Sequence, residues 1–272
     1  MKRFDGYVLG MILALLPAGC SVREDRLSCP CYLDIDYRDV LSAGREGLSL
    51  GAVDVSVFAP DSVWRRKHPL SSCPETDEIV VRRDSVRVIA LLGGSVSPGF
   101  PASGTRIVYG TGKQIDSLYV HTEQVDCSGE EARALLQPHK QFSTLSFSDG
   151  EDGTLFRQFD WVLQGTTCGL DLADLSAVEG EYSVQPVEIA GTGGFQVRIP
   201  RQVRPDLVIS FRSRAHPLNR FVCPVGRHLF EAGYDPAAPD LPDYDLRIDF
   251  SQALVGIRVR GWEEETLYCL YE

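Results

Sequence analysis

Apolar and polar residues alternate with period two along most of this chain. Leu33, Ile35 and Tyr37 are separated by Asp34 and Asp36, and Val53, Val55 and Val57 by Asp54 and Ser56. Leu145 and Phe147 alternate with serines, Phe195, Val197 and Ile199 with Gln196 and Arg198. Leu207, Ile209 and Phe211 repeat the pattern, as do Leu246, Ile248 and Phe250, and Val255, Ile257 and Val259. Successive side chains on a strand point to opposite faces, so each run predicts a strand with one dry and one wet face. Val86 to Leu92 is almost continuously apolar and predicts a more central strand. Clusters of Gly, Pro, Asp and Ser separate the runs, which is the pattern of an all-β fold built from β-sandwiches. In the last of them, Ile257 and Val259 are expected to face a core and Arg258 and Arg260 to face water.

Helix is scarce. Ser128 to Gln137 is the best candidate: Ser128 and Glu131 have capping-box spacing before Ala132, Ala134, Leu135 and Leu136, and Pro138 would stop it. The length of 272 residues suits two domains. The candidate helix lies near the midpoint and places their boundary between an N-terminal β-sandwich over 29–136 and a C-terminal one over 137–272. The proline-rich stretch from Asp235 to Asp243 predicts a stiff loop before a strand.

The first residues have a different character. Lys2 and Arg3 supply a basic start, Tyr7 to Leu16 is apolar, and Pro17-Ala18-Gly19 brings small residues up to Cys20. The apolar run is short for a membrane span and fits a signal peptide over 1–19. A cysteine directly after the small residues is the mark of a bacterial lipoprotein, with Cys20 as the acylated residue. Several acyl chains on one residue suffice for stable anchoring, where a single chain does not. Residues 20–28 are polar and form a lipidated tether. The leader carries Lys2, Arg3 and Asp5, so its removal takes the formal charge from −11 to −12. A body that acidic is a poor partner for nucleic acid or for an anionic membrane face. An exported location is also oxidising, which favours disulfides. Eight cysteines are present, and with Cys20 acylated an odd seven remain. Cys29 and Cys31 are too close for an easy bridge to each other, and connectivity among the rest stays open.

Motifs for catalysis are missing. The histidines at 68, 121, 139, 216 and 228 match no metal or nucleophile pattern. Gly110 to Lys113 and Gly191 to Gly194 lack the full phosphate-binding signatures and suit turns. The acidic stretches 149–153 and 235–245 lack calcium-loop spacing. No cofactor and no metal site is expected. Arg65-Arg66-Lys67 reads as a solvated loop.

Two blocks carry a likeness. One runs from Cys20 to Tyr37: an acylated cysteine, an acidic linker, a second cysteine and a first strand. The other is Asp243-Tyr-Asp-Leu-Arg-Ile-Asp-Phe followed by Ile257-Arg-Val-Arg-Gly-Trp262. Together they resemble the FimB-type fimbrial anchor lipoproteins, minor subunits of the fimbrillin-type pili of Bacteroidetes. The resemblance implies two tandem transthyretin-like β-sandwich domains. It also implies a lipid anchor in the cell outer membrane, with Glu24 and Asp25 behind the acylated cysteine pointing to its outer face. It implies pilin subunits as partners, joined by strand or edge complementation, and no enzyme activity. The tail after Trp262 is short, which suits a subunit at the end of a polymer. Asp61-Ser62-Val63, Asp84-Ser85-Val86 and Asp116-Ser117-Leu118 match the short Asp-Ser-aliphatic pattern of O-glycosylation in such bacteria, Ser85 fitting least. The alternative is a surface-exposed lipoprotein that binds glycan or host protein through loops and aromatics such as Trp64 and Trp161, although the alternation of Trp161 with Phe159 and Leu163 favours a core position.

Overall fold

The computed structural model describes residues 29–45, 51–93, 104–149, 154–216, 220–249, 254–259 and 265–268. The leader, Cys20, the tether, Phe250, Trp262 and Cys269 lie outside them, as do the side chains of 254–259. In the first half the elements are β1 (Pro30–Asp36), α1 (Arg38–Arg45), β2 (Ala52–Phe58), β3 (Val63–Pro69), β4 (Thr76–Arg82), β5 (Ser85–Gly93), β6 (Arg106–Val108), β7 (Leu118–Asp126) and β8 (Glu131–Leu135). In the second they are β9 (His139–Lys140), β10 (Phe142–Ser148), β11 (Phe159–Asp171), β12 (Ala177–Val184), β13 (Val187–Glu188), β14 (Phe195–Pro200), β15 (Val208–Ser213), β16 (Arg220–Cys223), α2 (Val225–Glu231), β17 (Tyr244–Asp249), β18 (Leu254–Val259) and β19 (Glu265–Tyr268).

Among the described residues, four sheets form in two facing pairs. The sheets β4-β1-β8 and β3-β2-β5-β7-β9 enclose one core, with Leu33, Ile35, Val53, Val55, Val57 and Val88 all at or below 1% exposure. The sheets β13-β14-β10-β17-β18-β19 and β12-β11-β15-β16 enclose the other, with Leu145, Val197, Ile199, Leu207 and Ile209 fully buried. Burying each such side chain contributes about 1.5–3 kcal/mol, which is why the period-two runs became sheet pairs. β5 runs between β2 and β7, and Val86 to Leu92 are buried apart from the half-buried Arg87. Its second face feeds a third cluster: Ile89, Leu91, Leu118 and Val120 meet Ile107 of β6 and Leu170 and Leu172 of the β11 end. β6 itself pairs with β11, so the segment between β5 and β7 reaches across to the other pair of sheets. Arg87 and Thr122 both donate to the Ala173 carbonyl and reinforce that contact.

Three expectations need correction. Residues 128–137 are not a helix: β8 occupies them and pairs in parallel with β1, Ala132 opposite Leu33 and Ala134 opposite Ile35. A helix of ten residues is marginal in isolation, whereas β1 has an open edge whose backbone groups need partners. Ala134 and Leu136 are buried and Leu135 is exposed, a period-two pattern that the capping-box spacing masked. Arg65-Arg66-Lys67 is not a loop but the middle of edge strand β3, opposite Ser56, Val55 and Asp54. The third is Asp36, expected on a wet face and found fully buried at the end of β1.

Asp36 is tolerated there because two guanidinium groups reach it. Arg38 donates Nη2 to Oδ2 at 2.6 Å and its backbone N–H to Oδ1 at 3.0 Å, and Arg133 of β8 donates to the same carboxylate. These partners, Arg38 foremost, hold its carboxyl well below the ordinary value of 3.8 despite burial. A depressed folded-state pKa contributes stability that is complete above about pH 4 and is lost as pH falls below it. Asp36→Asn is therefore expected to cost about 2 kcal/mol at pH 7. The difference from wild type should shrink towards pH 2, as measured by urea denaturation at both pH values. A constant difference would place the stabilisation elsewhere.

The loop over 235–243 is held from inside. Arg201, 6% exposed, donates to the carbonyls of Pro236, Ala238 (3.0 Å) and Pro239 (3.5 Å) and to Gln141 Oε1 at 2.7 Å. Its replacement by methionine keeps the volume and removes every donor. Arg201→Met should cost about 3 kcal/mol, since several buried acceptors lose their partner. Limited proteolysis should then cut within 235–243 first, and an unaltered cleavage pattern would argue against the clamp.

Candidate functional site

A chain that joins others through its backbone does so at sheet edges, so the edges are the surfaces of interest. The first pair of sheets exposes β4, β8, β3 and β9, and the second β12, β16, β13 and β19. Most carry features that discourage unplanned pairing. β3 presents Arg65, Arg66 and Lys67, all exposed, on the rim of an acidic protein. Arg66 pairs with Asp77 of β4 at 3.0 Å, and His68 approaches the same carboxylate at 3.2 Å. Lys67 and Arg65 oppose the rise that burial imposes on the Asp54 carboxyl. β8 is only five residues long and carries Glu131 and Arg133 on its exposed face. β12 meets β11 with register shifts on either side of Thr167, and bulges of this kind twist an edge away from flat pairing.

At the C-terminal end, β18 is an inner strand between β17 and β19. Leu246 lies opposite Ile257 and Tyr244 opposite Val259 in that ladder. The expected faces of Ile257 and Val259 fall outside the described side chains. Residues 265–268 form β19, which pairs with β18 and is the outermost described strand of the sheet. β16, four residues long, is an edge strand among the described residues, with Val222 48% exposed.

Other sequence candidates are accounted for by packing. Trp161 is buried and stacks on Phe156 at 4.9 Å and Phe211 at 5.3 Å. Trp64 is half-buried against the first core, with the Arg66 guanidinium 5.0 Å above its ring. Gly112 has φ 80° in the turn at 110–113, and Gly191 and Gly193 have φ 79° and 68° in the hairpin turn between β13 and β14. Ser62 and Ser85 are exposed and Ser117 is half-buried, so Ser85 is more open than its apolar run suggested. Among the described residues no group of three or more His, Cys, Asp or Glu side chains is placed to hold a metal ion, and no helix is long and apolar enough to cross a membrane. His121 is buried; the Gln137 N–H donates to its Nδ1 at 3.1 Å, and burial lowers its pKa despite the nearby Glu123. The sequence did not reveal Asp36 or Arg201 as buried charges: Arg38 is local to Asp36, but Arg133 and the acceptors around Arg201 come from distant segments.

No family model matches the chain, and no curated protein matches it in sequence. Solved structures do match its fold. A protein from Bacteroides thetaiotaomicron, provisionally described as polysaccharide-binding, aligns with TM-score 0.61 and 14% identity over 87% of this chain and 98% of its own. A provisionally described adhesin from Bacteroides ovatus gives 0.56 and 13%, over 91% and 98%. The fimbrial anchor protein Mfa2 from Porphyromonas gingivalis gives 0.54 and 10%, over 89% and 100%. The chain thus shares a mostly β, multi-sheet fold with a Bacteroidetes fimbrial anchor and with adhesin-like proteins, at low sequence identity.

Proposed function

We propose that this chain is an outer-membrane lipoprotein that anchors a pilus, or a minor subunit of one, and performs no catalysis. The observation that carries the reading is a fold shared with a fimbrial anchor protein over 89% of this chain, in a sequence whose leader ends at Cys20. In this reading the acyl chains on Cys20 hold the protein to the outer membrane, facing the exterior. The tether over 20–28 leads straight into β1, an inner strand held by β4 on one side and β8 on the other. The regions 29–136 and 137–272 act as tandem transthyretin-like domains. A pilin subunit joins by adding a strand to an exposed edge, where main-chain hydrogen bonds give strength and alternate side chains give register.

Cys20→Ala tests the anchor. The variant is expected to lose its acyl mass on the N-terminal peptide and to leave the membrane fraction, and pili are expected to be shed into the medium. Membrane fractionation identical to wild type, with no acyl mass in either protein, would remove the lipid anchor. The likeness to a protein described as polysaccharide-binding favours one second reading, a surface module that captures glycan. Saturable binding of a polysaccharide by the soluble body, with normal pili in a deletion strain, would select it.

A further inference from the structure

Two thiols meet inside the first core. Cys31 is the second residue of β1, and Cys127 directly follows β7, so they sit in the two facing sheets. Both are fully buried, both belong to the same core cluster and both are free thiols in the structure; burial and the neighbouring Cys31 thiol together push the Cys127 thiol up to about 12. The backbone around them is fixed on both sides. The Cys127 N–H donates to Asp84 O at 3.0 Å and the Tyr32 N–H to Glu130 O at 2.8 Å. Arg83 spans the gap: its N–H reaches Cys29 O at 3.2 Å, its Nε reaches Pro30 O at 3.2 Å, and its Nη2 pairs with Glu130 at 3.3 Å. Of the four other described cysteines, Cys73 packs at the edge of the same core and Cys168 and Cys223 belong to the second core. Cys29 is half-buried, Cys73 donates to Pro74 O, and Cys168 packs against Gly180.

We propose that Cys31 and Cys127 form a disulfide that ties the first described strand, β1, to the opposite sheet. The proposal rests on the exported location argued above, which supplies the oxidant: a disulfide-bearing oxidoreductase or an oxidised small-molecule disulfide. One cysteine thiolate attacks the oxidant's sulfur and releases its first thiol. The second cysteine thiolate then attacks the mixed disulfide and releases the other. Two electrons and two protons leave as two thiols, and one S–S bond remains in the protein. Both sulfurs are enclosed in the finished fold, so the bond forms while the first core is closing. Where the anchor reading holds, the covalent bond lies just behind the point at which the tether enters the sheet, and a pull on the tether cannot strip β1 away.

The test uses the full mature chain carrying Cys20→Ala, refolded from denaturant in mixed oxidised and reduced glutathione. Free thiols are then alkylated and the protein is digested without reduction. Mass spectrometry is expected to find the peptides bearing Cys31 and Cys127 joined. A reductant should lower the melting temperature by roughly 10 °C. The double variant Cys31→Ala with Cys127→Ala should melt at one temperature with or without reductant. Both thiols alkylated, or either one bridged to a different cysteine, would overturn the pairing. A bond that forms on refolding but is absent from protein alkylated in intact cells would uphold the pairing and contradict the export reading instead.

Discussion

Trp161→Ala is expected to lower the stability of the second pair of sheets by about 4 kcal/mol, the cost of removing a large aromatic from a closed core. Trp161 contributes more than area. It stacks on Phe156 and Phe211 with interplanar angles of 19° and 15° and meets Phe147 and Phe195 edge-on, each at 5.2 Å. Those residues come from β10, β14, β15 and the turn before β11, so one indole ring touches both sheets. Denaturant unfolding followed by circular dichroism should show the loss. A cost below 1 kcal/mol would mean that the ring is not the centre of that core, and would revive its use as an exposed binding aromatic.

Gly169→Ala is expected to break the pairing of β6 with β11. A Cβ at this position would lie 2.1 Å from Ile107 O and 3.2 Å from Val108 Cα, both backbone atoms that cannot rotate aside. The added methyl group must displace β6. With it would go the Tyr109 N–H bond to Cys168 O, now 2.7 Å, and the place of Ile107 in the third cluster. Overpacking of this kind costs about 3 kcal/mol. Hydrogen exchange at residues 106–109 should accelerate sharply, because this short strand is held mainly by that neighbour. Unchanged exchange there would show that β6 owes its position to something other than the close approach of two backbones.

The alternating runs were legible because a half-buried strand repeats every two residues and needs no distant information. Leu33, Val55, Val197 and Ile209 all point inward as their patterns required. The segment over 128–137 was misread because its spacing satisfies a helix start and a strand equally well. The deciding fact was the open edge of β1, about a hundred residues earlier in the chain. Arg65 to Lys67 was misread for a related reason. Three consecutive charges look like solvent-exposed loop, yet charge on an edge strand is a common guard against stray pairing. Buried charges were invisible for a third reason. Asp36 needs Arg133 and Arg201 needs the carbonyls of 236–239, and only the folded chain brings these together. The proposed lipidation site, by contrast, rests on sequence alone: Cys20 and the small residues before it, which lie outside the described residues.

The most direct measurement is chemical cross-linking in intact cells, followed by purification of the tagged protein from outer membranes and mass spectrometry of the cross-linked peptides. An anchor predicts peptides of a fimbrial subunit joined to this chain, and their loss from the membrane fraction in a Cys20→Ala strain. Recovery of the acylated protein from membranes of piliated cells with no pilin peptide attached would contradict it.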